Sequence, residues 1–134
     1  MLKLLSLLAA TFQAYQTAHH SVRGRAYFGD HEFLNDYEET HGSYDKAVER
    51  ANFLDLKFEE AEIFRDGARM NSLKADMAPE KSLGILLNME AAICAKCTEL
   101  EKTSTCGTRN LVSSIADESE ARQGHLKRRL KQAA

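Results

Sequence analysis

The chain has few of the residues that a β-rich protein needs for its turns. Its 134 residues include one proline and seven glycines, and strand-type alternation is nearly absent. Because short strands need frequent turn residues between them, this composition argues against a sandwich or a barrel and favours a few long helices. With 43% hydrophobic residues, residues 1–134 are expected to form one domain with a single core.

A strong charge and a disulfide framework are also lacking. The formal net charge is −2, so no overall basic field attracts nucleic acid. Three cysteines, Cys94, Cys97 and Cys106, are an odd number and are typical of reduced cytosolic thiols. The CxxC spacing of Cys94 and Cys97 has no second pair to complete a zinc site, which favours buried small residues. No stretch approaches transmembrane length. We therefore expect a cytoplasmic protein with no membrane contact.

The last residues carry the one basic cluster. Its cations suit the dipole at the end of a helix, and direct DNA or RNA contact is the less favoured interpretation. The cluster consists of His125, Lys127, Arg128, Arg129 and Lys131.

Apolar periodicity predicts four long helices. They run over about Leu2–His20, Asp30–Leu56, Pro79–Lys102 and Thr108–Lys131. The stretch 58–77 either extends the second helix or forms a short separate one before Pro79, which suits a first helical turn. Four long helices with one longer connection between the second and third predict an all-α four-helix bundle.

The second predicted helix has a polar stripe beside its core face. The polar positions are spaced by four or three residues, so they fall on one side of a helix. A row of imidazoles and carboxylates is how a helical bundle holds a metal ion, although a solvated face gives the same pattern. The stripe consists of His31, Asn35, Glu38, Gly42, Asp45 and Glu49, and the apolar stripe of Phe33, Leu34, Tyr37, Tyr44, Val48 and Ala51.

Glu90 lies in the middle of the apolar face of the third predicted helix. A carboxylate in a core is costly unless it is paired, hydrogen-bonded or bound to metal. Arg122 falls on the apolar face of the fourth predicted helix. Two interpretations therefore stay open for Glu90, a salt bridge with Arg122 and a metal ligand.

Three segments together resemble the Dps family, the DNA-protecting mini-ferritins of the ferritin-like superfamily. They are AHHSVRG (18–24), HEFL (31–34) and DKAVER (45–50). Dps proteins have a histidine before a V-x-G turn, a second His-Glu twelve positions later and a D-x-x-A-E-R run further on. Here His19 and His31 are twelve positions apart. The resemblance covers residues 2–56 well, and beyond them only the helical layout agrees.

The resemblance implies a ferroxidase that binds iron between subunits. His19, His31, Asp45 and Glu49 would be the ligands, contributed by two subunits of a hollow homo-dodecamer built from dimers. Iron(II) would be oxidised by peroxide or oxygen there and stored as mineral inside. Carboxylates and imidazoles suit iron(II). The chain lacks the lysine-rich arm that many DNA-condensing Dps proteins carry, so DNA binding is not favoured.

The chain also departs from the Dps pattern. Asn35 stands where the family usually has an aspartate, and His20 replaces the aromatic residue after the first histidine. The spacing from His31 to Asp45 is one residue shorter than usual, which is about 100° of helical rotation.

A second ferritin-type interpretation places iron inside the bundle. Glu38 and His41 form an E-x-x-H pair, with His41 expected on the core side. Together with Glu90 this pair resembles half of the di-iron centre of a bacterioferritin-like bundle. Helix four offers Ser119 and Arg122 where the other half is expected. The alternative is a ferritin-like bundle that has lost its metal and acts as a structural or partner-binding subunit.

Overall fold

The computed structural model describes residues 1–133, with side chains to residue 131, and these residues form helices and connections without any strand. A 3₁₀ turn, Leu34–Asp36, separates the second and third helices. The six α-helices are α1 Leu2–Ser21, α2 Tyr27–Phe33, α3 Tyr37–Phe53, α4 Glu60–Met70, α5 Pro79–Glu101 and α6 Cys106–Ala133. The all-α class predicted from the sequence is confirmed.

Helix α1 is the element on which the others assemble. It packs against α3, α4 and α5, while α5 packs along α6 and α3 touches α6. Its large buried side chains fill the core, and its small ones let neighbouring backbones approach closely. The large ones are Leu4, Leu5, Leu8 and Tyr15, and the small ones Ala9, Ala10, Ala14 and Ala18.

The predicted first, third and fourth helices are confirmed to within a few residues. Pro79 occupies the first turn of α5, and Ala78 before it is extended with φ −61° and ψ 144°. A proline there has no amide hydrogen to leave unpaired, and its ring disfavours helical geometry in the preceding residue. The helix therefore begins where the sequence predicted.

The single second helix predicted over 30–56 is wrong, because it is divided into α2, the 3₁₀ turn and α3. Asn35 and Asp36 lie at the break, and both residue types have side chains that can compete with helical hydrogen bonds. The Thr40 hydroxyl donates to the Asp36 carbonyl at 2.7 Å, and Leu34 enters the core. His31 therefore lies on a different helix from Asp45 and Glu49, and the predicted polar stripe is interrupted.

Asp30, the first residue of the predicted second helix, lies inside α2 as a buried carboxylate. The Arg129 guanidinium donates to both of its oxygens, at 2.7 and 2.8 Å. Such two-pronged pairs combine charge with fixed geometry. This pair ties α2 to the end of α6, so part of the C-terminal basic cluster has a structural role.

The stretch 58–77 contains a separate short helix, α4, which was one of the two predicted alternatives. Gly67 is the point of closest approach between α4 and α1. A Cβ atom at this position would lie 3.1 Å from the backbone nitrogen of Ala10 and 3.2 Å from the carbonyl oxygen of Ser6. A side chain at this position would push the backbones of α4 and α1 apart by a few tenths of an ångström.

Gly67→Ala is expected to lower the free energy of unfolding by about 1–3 kcal/mol, because backbone atoms cannot move aside as a side chain can. Chemical denaturation monitored by circular dichroism measures the change. Gly84→Ala in α5 is the control, since a Cβ atom there meets nothing within 4 Å, and alanine should be neutral or stabilising. Equal stability of the two variants would contradict the close packing of α4 on α1.

No helix within residues 1–133 has the length and hydropathy that a membrane crossing requires.

Candidate functional site

The core is divided by a layer of polar side chains. On α5 the buried positions run Leu86, Glu90, Ile93, so the carboxylate lies between two apolar residues. On α6 Ser119 and Arg122 are buried between Ile115 and Leu126. One apolar cluster contains Ile93 and Ile115, and the other contains Leu86 and Leu126. The polar layer therefore lies between the two halves of the core.

Arg122 and Glu90 form the centre of this layer. Arg122 is 2% exposed and Glu90 is 0% exposed. The guanidinium donates from Nε to Oε2 of Glu90 and from Nη2 to Oε1, the latter at 3.2 Å. Its Nη1 donates to Glu39 of α3, which is half exposed. Arg122 thus joins α6 to both α5 and α3.

Two hydroxyl groups complete the layer. The Tyr15 hydroxyl of α1 donates to Glu90 Oε2 at 3.3 Å, and the Ser119 hydroxyl donates to the backbone carbonyl of Glu90 at 3.0 Å. Within the described residues, no buried side-chain nitrogen or oxygen lacks a hydrogen-bond partner. Because a fully satisfied buried network is rigid, this layer fixes how α1, α5 and α6 meet.

Burial raises the pKa of each acidic group in or beside this layer. Burial raises the pKa of Glu90, while the hydrogen bonds and charge of Arg122 act to lower it. Burial also raises the pKa of Tyr15, with a further contribution from the Glu90 charge, so the phenol keeps its proton and donates it. Burial similarly raises the pKa of Asp36, which lies near Arg122.

The surroundings of Glu90 bear on its two interpretations, a salt bridge with Arg122 and a metal ligand. Its two oxygens accept three hydrogen bonds, two of them from a guanidinium. A cation at this carboxylate would lie beside the positive charge of Arg122 in a poorly screened interior. The predicted salt bridge between Glu90 and Arg122 is present in the structure.

Glu38 and His41 lie away from Glu90, on the outside of α3. His41 is exposed, so its expected position on the core side is wrong. Its ring packs edge-on against Phe12, with ring centroids 4.9 Å apart. Together with Gln16 and Tyr37 these residues line an open groove of about 390 Å³. The residues of the proposed internal iron site are therefore not brought together in this chain.

His19 and His31 are in direct contact, and each is fixed by the backbone of the other. The Nδ1 of His19 lies 2.7 Å from the His31 carbonyl, and the Nδ1 of His31 lies 3.0 Å from the His19 carbonyl. The rings are stacked with centroids 3.9 Å apart. Because a carbonyl oxygen can only accept, Nδ1 carries the proton in both rings. In a neutral imidazole, the lone pair is then on Nε2.

Asp45 and Glu49 are exposed side chains on α3, one helical turn apart. Within residues 1–133, no group of three or more histidine, cysteine, aspartate or glutamate side chains is arranged so that it could hold a metal ion. The four residues assigned to the interface site therefore form one histidine pair and one carboxylate pair within a single chain.

The structure also shows polar partners that the sequence did not indicate. Glu39 beside Arg122 and Glu60 beside Tyr44 come from exposed positions of other helices, and the Tyr44 hydroxyl donates to Glu60 at 2.9 Å. The apolar periodicity of the sequence does not identify such residues, because only their carboxylates reach the edge of the core. Pairing depends on how helices are placed in three dimensions.

Comparison with known proteins adds no family assignment. The chain matches no protein-family model, and a search of curated proteins finds no significant match. By its fold and its site, this is an all-helical protein whose core contains a buried arginine–glutamate layer.

Proposed function

We propose that this chain is a ferritin-like, Dps-type subunit that binds iron(II) between two copies, oxidises it and helps to store the product. The observation that supports this most is the His19–His31 pair. Histidines that bind a metal usually donate their other ring N–H to a carbonyl or carboxylate, which fixes the tautomer and the ring orientation. Both rings have this arrangement, with Nδ1 bonded to a carbonyl and Nε2 left to accept.

The carboxylates of the proposed site come from the second copy. Asp45 and Glu49 are exposed on α3 and have room to meet the histidine pair of a neighbour. Two imidazoles and two carboxylates are a suitable donor set for iron(II), which is the substrate here. Two iron(II) ions supply the two electrons that reduce one hydrogen peroxide, with two protons, to two waters. The hollow dodecamer built from dimers remains part of this proposal.

Anaerobic iron(II) titration followed by peroxide addition tests the proposal, with iron(III) formation monitored by ultraviolet absorbance. The Asp45→Asn, Glu49→Gln variant is expected to oxidise iron at least about tenfold more slowly. Both changes keep side-chain shape at exposed positions, so folding should be unaffected. Glu120→Gln on α6 is the matched control, and Glu38→Gln with His41→Ala tests the internal site.

The double variant should also be compared with His31→Ala, which removes a ligand from the other half of the site. Sedimentation velocity on each variant shows whether the oligomer persists. If the parent oxidises iron no faster than buffer, or if the two carboxylate changes leave the rate unchanged, the interface site is wrong.

A metal-free ferritin-like bundle with a structural or partner-binding role is the second candidate. The observation that favours it is Arg122, which pairs with Glu90 where a bundle iron would lie. Elemental analysis of protein purified with supplied iron separates the two candidates. Tightly held iron in stoichiometric amount would remove the metal-free candidate, and its absence together with no oxidation would support it.

A further inference from the structure

A groove between α2 and the end of α6 combines exposed aromatic and cationic side chains. Phe28 is 86% exposed and lies at its edge. Arg25 and Arg128 are exposed and line the same groove, and neither belongs to an ion pair in the described part of the chain. Arginine side chains bind phosphate groups and also stack on flat rings, so two free guanidinium groups beside an exposed aromatic ring suit a ligand that has both an anion and a flat face.

The inner wall of the groove is held rigid by the Asp30–Arg129 pair described above. Phe33 and His125 pack edge-on at its base, with ring centroids 6.3 Å apart. The groove is open to solvent and has a volume of about 430 Å³, which leaves room for a ligand of small-molecule size. The Asp30–Arg129 pair therefore fixes one wall, and Phe28, Arg25, Arg128 and His125 are exposed beside it.

We infer that this groove binds a nucleotide, with the base stacked on Phe28 and the phosphate held by Arg25 and Arg128. Arginine pairs with phosphate through two parallel hydrogen bonds, and stacking of a base on an aromatic side chain contributes about 1–3 kcal/mol. The one carboxylate in the groove, Asp30, is neutralised by Arg129 and does not repel the phosphate. This inference does not depend on the iron site.

The shared chemistry, a phosphate next to a flat base, can come from a free nucleotide or from a single strand. Isothermal titration with ADP and with an eight-residue oligothymidylate distinguishes the two sources. Inorganic phosphate and adenosine are the partial ligands, and each is expected to bind at least about tenfold more weakly than the better of the two probes. Binding should weaken as salt is added.

Matched variants locate the site. Arg128→Glu and Phe28→Ala are each expected to weaken binding about tenfold or more. Lys127→Glu makes the same charge change at the neighbouring exposed position of α6, outside the groove. Phe53→Ala removes another exposed phenylalanine, which is 77% exposed at the end of α3. These two controls should keep the parent affinity.

Binding of either probe with losses confined to the groove variants supports the inference, and the tighter probe identifies the source. The inference fails if neither ADP nor the oligonucleotide binds at millimolar concentration, or if Lys127→Glu weakens binding as much as Arg128→Glu. It also fails if inorganic phosphate binds as tightly as ADP. Sedimentation velocity supplies a further test, because loss of oligomer in Phe28→Ala would show that a second copy covers this ring.

Discussion

Arg122→Leu is expected to lower the free energy of unfolding by about 3–5 kcal/mol, the largest single effect that this structure predicts. Removing one partner of a buried ion pair leaves the other charge uncompensated in a medium that solvates it poorly. Glu90 is fully buried and would keep only its hydrogen bond from Tyr15. Urea denaturation monitored by circular dichroism measures the loss.

The double variant Glu90→Met with Arg122→Leu separates pairing from packing. Apolar residues of similar volume often replace a buried ion pair without loss of stability, so the double variant should recover most of the stability lost in the single one. Arg65→Ala is the surface control, since its partner Glu62 is well exposed, and we expect a change below about 1 kcal/mol. A double variant as unstable as Arg122→Leu would show that the two residues are not coupled.

The three cysteines are expected to differ in reactivity by orders of magnitude. Burial raises the pKa of Cys97 to about 12 from its ordinary value of 9.0. Because the thiolate is the nucleophile, a rise of this size lowers its reactive fraction about a thousandfold near neutral pH, and burial blocks access as well. Cys106 is exposed and should react first with a thiol reagent such as Ellman's reagent.

Cys94 should react at an intermediate rate. It is partly buried, and its sulfur lies 3.6 Å from the Ala116 carbonyl and accepts from Gln123 at 3.2 Å. The Cys106→Ser variant is the control, because it should remove the fast phase and leave the slow phases unchanged. Rapid labelling of Cys97 in native protein would contradict its burial on the face that α5 turns to the core.

Helical periodicity allowed much of this fold to be predicted from the sequence. The buried faces of α1, α5 and α6 repeat at helical spacing, so those helices and their core sides follow directly. The pairing of Glu90 with Arg122 was one of two interpretations, because each residue interrupts an apolar face and their signs are opposite. The buried faces are set by the sequence of one helix at a time, and the Glu90–Arg122 pair depends only on two opposite charges at core positions.

The division of the second helix could not be predicted in the same way. Asn35 and Asp36 disfavour a helix only slightly, whereas the burial of Leu34 in the core depends on tertiary packing. The bend changes which residues share a face, and that is why His41 lies outside and Asp30 inside. The stacking of His19 on His31 likewise depends on the angle between α1 and α2, which no spacing specifies.

We propose that any iron bound by this protein lies at the His19–His31 pair and not in the middle of the bundle. Crystals soaked anaerobically in iron(II) and measured at the iron absorption edge locate the bound metal. We expect an anomalous peak within coordination distance of Nε2 of one of these histidines, with carboxylates of a second copy beside it. A peak within coordination distance of Glu90, or no peak at the histidine pair, would contradict it.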